Sequence, residues 1–243
     1  GVKTFTCSKC NHSYTQNIAA TGHNFFGGKC SVCGATAADV ESTLAEYVQD
    51  GTTLHCWNWS IANVKANLGL IANMGYSAVQ LSPMQELKEG TVNRPYDNWW
   101  AVYQPISFNI NNSQSHCVGT KSELIDLCNE AHKYNIKVIM DVVFNHTANN
   151  GANKLCPRVD PDFLNDPACW HDYSQNSSSY NDRYDVTQRC MAGLPDLNTG
   201  NQKVQDKALA LMKETKKKVN LTNISVLGVC ERALLTQPIY KQY

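Results

Sequence analysis

The chain has 243 residues, enough for one large domain or two small ones. Its 21 basic and 21 acidic residues cancel, so the charge points to neither a nucleic-acid nor an anionic-membrane partner. Hydrophobic residues make up 42% of the chain, but no apolar run is long enough to span a bilayer.

The first residue is Gly1, and no signal-peptide pattern is present, so the N-terminus reads as cut or incomplete. Cys7-x2-Cys10 and Cys30-x2-Cys33 enclose 19 residues. Paired knuckles at this spacing point to a four-thiolate zinc site in a small zinc-ribbon-like module over 1–38. A module this small has little core, so the metal would supply most of its folding energy. Two disulfides are the alternative. Eleven cysteines leave at least one unpaired if the rest form bridges. Residues 39–53 read as a linker, with a short helix around Leu44, Tyr47 and Val48.

Leu54 to Trp59 reads as a first strand. Ser60 caps a helix bearing Ile61, Val64, Leu68, Ile71 and Ala72, with Gly75 at its end. Tyr76 to Ser82 is a second strand, stopped by Pro83. A long polar and aromatic loop runs to Val118. Thr120-x-x-Glu123 forms a capping box for a helix carrying Leu124, Leu127, Cys128 and Ala131. Asn135 ends that helix. Ile136 to His146 then begins as a buried strand. Val138, Met140, Val142 and Phe144 share one face; Ile139, Asp141, Val143 and Asn145 share the other. Alternating strands and helices imply a parallel α/β sheet, and polar groups at its carboxyl end mark a ligand site. The plainer reading of Asp141, Asn145 and His146 is a satisfied polar cluster capping a strand. A long loop rich in Asn, Asp and Ser follows, and Thr199-x-x-Gln202 is expected to cap a third helix. From Thr215 to Tyr243 no clear periodicity is visible.

Asp141-Val142-Val143-Phe144-Asn145-His146 resembles the D-x-x-x-N-H strand-three motif of the α-amylase family, glycoside hydrolase family 13. Ala78 to Pro83 resembles that family's second strand, and Asn98 to Pro105 its aromatic loop. Gly193-Leu194-Pro195-Asp196-Leu197-Asn198 resembles the motif closing its inserted domain B. The resemblance covers residues 54–214, with domain B at 147–198, and is strongest to secreted bacterial enzymes of the animal-like or Bacillus type. It implies an incomplete (β/α)8 TIM barrel, with the first three β/α units present and 215–243 outside the family pattern. The knuckle stretch resembles small cysteine-knuckle repeats of secreted anaerobic bacterial proteins.

The resemblance also implies roles. Trp99, Trp100 and Gln104 line the substrate cleft, Tyr103 stacks on a sugar, and His146 donates a hydrogen bond to it. Flat aromatics suit the apolar faces of sugars; a core position for both tryptophans is the alternative. Asp141 is implied as a buried support of the active-site floor. Asn145 and Asp196 are implied calcium ligands, completed by carbonyls near Gln188 and beyond a fourth strand. Cys169 with Cys190, and Cys117 with Cys156, are candidate disulfides.

The family's G-F-R-x-D nucleophile segment is not found after the third helix, nor is a general acid, so the catalytic residues are absent. A retaining glycosidase needs both. The expectation is therefore an endo-α-1,4-glucan hydrolase fragment acting on starch or glycogen by ancestry but inactive as written. The alternative is a non-catalytic glucan-binding surface module. An extracellular or cell-surface location is implied in either case.

Overall fold

The computed structural model describes residues 2–17, 25–26, 29–35, 44–88, 99–112, 118–216 and 223–227. Two small antiparallel hairpins come first: β1 (Val2–Thr6) with β2 (Ser13–Asn17), and β3 (Phe25–Phe26) with β4 (Lys29–Cys30). Each cysteine knuckle occupies the tight turn beside its hairpin. The expected helix near Tyr47 is only a 3-10 turn, Val48–Asp50.

The second part of the chain is α/β. β5 (Thr53–Cys56) leads to α1 (Ile61–Ala66) and α2 (Leu68–Asn73), then to β6 (Ala78–Leu81). Ser60 caps α1 by accepting from Asn63 N at 3.2 Å. The single expected helix is split at Asn67, whose backbone leaves helical geometry while its Nδ2 donates to Asn63 O at 2.8 Å. An asparagine side chain that bonds its own helix backbone competes with the ladder. Gly75 adopts φ +86° after the last turn.

The supposed loop after Pro83 contains an antiparallel pair, β7 (Gln85–Leu87) and β8 (Pro105–Ile110). α3 (Lys121–Lys133) opens with both halves of the Thr120/Glu123 capping box in place. β9 (Lys137–Val143) follows and is buried along its whole length. Next come α4 (Pro161–Leu164), β10 (Asp172–Asn176), α5 (Arg183–Gln188), β11 (Arg189–Cys190) and α6 (Gln202–Glu214). α6 is capped by Asn201, which accepts from Lys203 N at 2.9 Å, not by Thr199. Thr199 instead accepts from Gln205 Nε2 through its carbonyl, at 3.0 Å.

β12 (Asn223–Leu227) lies within the aperiodic tail. It pairs in parallel with β9, placing Ser225 opposite Asp141. Among the described residues the main sheet is thus four parallel strands in the order β12-β9-β6-β5. Five residues are too few to display a period in sequence, and a partner strand is what makes them extended. The remaining residues from 217 to 243 lie outside the described set.

Val138, Met140, Val142 and Phe144 join one hydrophobic core with Leu124, Leu127, Val204 and Leu211 from α3 and α6. The helices therefore cover that face of β9, and Asp141 lies on the opposite one. Lys137 is buried at the start of β9, and its Nζ donates to Ala45 O at 2.5 Å and Asn135 O at 3.0 Å. That ties the linker to the amino end of the sheet. Gly51 is required there, because a Cβ would sit 1.8 Å from Ser77 Oγ. Among the described residues, no helix is long and apolar enough to cross a membrane.

Candidate active site and cysteine knuckles

The site is built where β9 stops. Gln85 terminates the strand by imitating a neighbouring backbone: its Oε1 accepts from Val143 N at 2.6 Å and its Nε2 donates to Val143 O at 2.9 Å. The next residues are then free to pair elsewhere. Leu197 N donates to Asn145 O at 2.8 Å and Thr147 N to Pro195 O at 3.1 Å, with His146 and Asp196 in an antiparallel bridge. This short ladder brings the two ends of the inserted loop together.

Its side chains form a buried polar knot. Asn145 Nδ2 donates to Asp196 Oδ1 at 2.7 Å. His171 Nδ1 lies 2.7 Å from Asp196 Oδ2. A carboxylate can only accept there, so Nδ1 of His171 carries the proton. Asp196 is 1% exposed. With the Asn145 amide turned over, its Oδ1 and the Asp196 carboxylate would present two hard oxygens side by side. Those donor types fit the calcium that the resemblance implies, with carbonyls or waters to complete its shell.

The aromatic loop lies against this knot. His146 Nε2 is 3.0 Å from Tyr103 O, and a carbonyl only accepts, so Nε2 is the protonated nitrogen. Burial lowers the His146 pKa, which keeps the ring neutral. The proton expected to reach a sugar is spent on Tyr103 in this structure. Residues Trp99–Tyr103 form a 3-10 turn that buries Ala101 and Val102. Trp99 and Trp100 are 47% and 40% exposed, so a core position is excluded for both. Asn98 lies outside the described residues.

Trp57 was not singled out from sequence, yet it stands in this cluster. Its Nε1 donates to the Tyr103 hydroxyl at 3.1 Å, and its ring centroid is 5.8 Å from that of Trp99. Trp99 in turn meets Tyr103 edge-on at 6.3 Å. The available signal was position: Trp57 directly follows the first parallel strand, on the same end as His146.

Two buried oxygens here have no protein hydrogen-bond donor: Asp141 Oδ1 and Gln104 Oε1. Burial pushes the Asp141 carboxyl up to about 6. Burial, and then the nearby Asp141 charge, also raise the Tyr103 phenol. Exposed rings at the carboxyl end of the sheet make a surface that suits a flat-faced ligand. Of the two carboxylates in this cluster, Asp196 has both oxygens engaged and Asp141 is buried.

The two knuckles are alike in backbone geometry. Cys7 N donates to His12 O at 2.8 Å and Asn11 N to Cys7 O at 2.9 Å. Cys30 N donates to Ala35 O at 2.8 Å and Gly34 N to Cys30 O at 2.9 Å. Asn11 and Gly34 take φ of 55° and 74° at the same step of each turn. Backbone N–H donors also lie on both leading sulfurs: Val32 N is 3.4 Å from Cys30 Sγ, and the Lys9 N–H lowers the Cys7 pKa. Yet Cys7, Cys10, Cys30 and Cys33 are not gathered around one point. Among the described residues, no three His, Cys, Asp or Glu side chains are placed to hold a metal. The two knuckles belong to separate two-stranded sheets.

Cys169 and Cys190 are free rather than bridged. Each thiol points to its own carbonyl, Cys169 Sγ to Asp162 O at 3.9 Å and Cys190 Sγ to Tyr173 O at 3.6 Å. Cys156 is buried and free, while Cys117 lies outside the described residues.

Residues 61–221 match the family model described as "Alpha amylase, catalytic domain". Over 172 residues the chain is 41% identical to an α-amylase of Clostridium acetobutylicum, covering 70% of this chain and 22% of that protein. An α-amylase of Aeromonas hydrophila is 33% identical over 173 residues, covering 68% and 36%. The chain thus spans between about a fifth and a third of the length of these curated relatives. Among solved structures, α-amylase I from Eisenia fetida superposes with a TM-score of 0.60 at 21% identity, over 77% of this chain and 40% of that one. The Geobacillus thermoleovorans α-amylase complexed with acarbose gives 0.58 at 23%, over 74% and 40%. At those identities the likeness is one of fold.

Proposed function

The chain belongs to the α-amylase family, and from that premise we propose that it carries the α-glucan-binding part of an endo-acting α-1,4-glucan hydrolase without its cleaving carboxylates. The observation that carries this reading is the cluster at the carboxyl end of the parallel sheet. Exposed Trp99 and Trp100 stand with Tyr103 beside the buried, unpartnered oxygens of Asp141 and Gln104. Rings cover the apolar faces of glucose units, and the half-buried Tyr103 hydroxyl, which accepts from Trp57, keeps its own proton for one of theirs. Starch or glycogen is the substrate class.

In this reading residues 54–214 form the first β/α units of an eight-stranded barrel, with domain B inserted at 147–198. β12 takes the fourth-strand position. Residues 1–38 form the knuckle module, 39–53 the linker, and the chain works outside the cell or on its surface. Asn145 and Asp196 would hold calcium, which would brace the ends of the inserted loop. Cys7, Cys10, Cys30 and Cys33 would supply two halves of a zinc site. The equivalence of the two knuckles supports that assignment, which requires the hairpins to close on each other.

The test is a fluorescence titration of the 243-residue chain with maltoheptaose, alongside a reducing-sugar assay on soluble starch. Binding without hydrolysis is expected. No binding to maltoheptaose or starch overturns the reading. A stand-alone glucan-binding module remains the second reading, favoured by the same exposed rings. The coding DNA separates the two. If another frame after about codon 214 encodes G-F-R-x-D, the chain derives from a hydrolase.

A further inference from the structure

Trp57 projects from a turn that leaves it little freedom. Cys56 beneath it is fully buried, and Trp59 N donates back to Cys56 O at 3.1 Å. Asn58 takes φ 60°, and its N–H donates to Ser82 Oγ at 2.9 Å, fastening the turn to the end of β6. Above this base the indole is 39% exposed.

Tyr103 is held from two strand ends at once. His146, just past β9, holds its carbonyl at 3.0 Å. Trp57, just past β5, holds its hydroxyl at 3.1 Å. An indole N–H can only donate, so the phenol oxygen accepts, and its own proton stays available to a ligand. Against a freely rotating hydroxyl, this is preorganisation.

We propose that Trp57 is a positioning residue of the glucan-binding surface: its indole N–H aims the Tyr103 hydroxyl, and its ring extends the Trp99–Tyr103 face. The proposal rests on the glucan reading above. It predicts coupling between two residues 46 positions apart in sequence.

A double-mutant cycle in the 243-residue chain tests it, with maltoheptaose as ligand and tryptophan fluorescence as readout. Trp57→Phe keeps an apolar ring and removes the donor. It should weaken binding about threefold to tenfold, the worth of one neutral hydrogen bond. The chain should stay folded, with its unfolding midpoint lowered by no more than the worth of that one bond. Tyr103→Phe should weaken binding by a similar factor, and the double variant should be no worse than Tyr103→Phe alone. Unchanged binding in Trp57→Phe, or losses that multiply in the double variant, overturn the proposal. Phenolate absorbance gives a second readout, with Tyr103→Phe subtracted to isolate Tyr103. Losing the indole donor removes a stabiliser of the phenolate, so Trp57→Phe should raise the Tyr103 pKa further; no change counts against the proposal. If the unaltered chain fails to bind maltoheptaose, the glucan reading itself falls, and this proposal with it.

Discussion

Asp141 sets an energetic tension at the centre of the site. An unfolded carboxyl titrates near 3.8, whereas burial pushes this one up to about 6. The folded state therefore binds more protons between those values, and stability falls as pH rises through that window. The difference corresponds to roughly 3 kcal/mol against the ionised form above pH 6. Asp141→Asn removes the charge and keeps the shape. It should stabilise the chain by about 2 kcal/mol at pH 8 and hardly at all at pH 4. Urea unfolding at the two pH values checks this, and an equal effect at both would refute it. The residue types of this cluster were legible in sequence, because period two placed Asp141 and Asn145 on one face of an apolar strand. Trp57 was not legible, since its role arises from a neighbour brought close by the sheet. Nor was the bond from His146 to Tyr103, which depends on how the aromatic loop turns.

Local chemistry fixed some elements and left others open. The capping box of α3 was readable because both partners lie within one helical turn. Thr120→Ala should cost about 1 kcal/mol in thermal or denaturant unfolding. Gly51→Ala should cost more, about 2–3 kcal/mol, since its Cβ would collide with Ser77 Oγ at 1.8 Å. A Gly51→Ala midpoint above that of Thr120→Ala would contradict this packing. The hairpin of β7 and β8 was hidden because its strands are short and separated by a long connection. β12 was hidden because its extension comes from pairing with β9 rather than from its own pattern. The knuckles are the reverse case, with a readable local turn and a joint arrangement that no local signal contains. Elemental analysis of the purified chain should find about one zinc, lost in Cys30→Ser. Metal-free protein that keeps its fold would end the zinc assignment.

At the scale of the whole molecule, β5 and β12 are the outer strands of the main sheet among the described residues. Such edges are templates for association, so the purified chain should self-associate at high concentration by light scattering. It should also release no reducing sugar from soluble starch. Turnover that vanishes in Asp141→Asn would reverse the role given to that residue. The bond between Asn145 and Asp196 has a further consequence, because it joins positions 51 residues apart. Closing a flexible loop of that length costs roughly 3.5 kcal/mol in chain entropy, yet doubling it adds only about 0.6 kcal/mol. The clasp is thus nearly indifferent to how much polypeptide hangs between its two halves. A short insertion after Tyr180, which is 77% exposed, should shift stability little, while Asp196→Ala should make the excursion more susceptible to proteolysis.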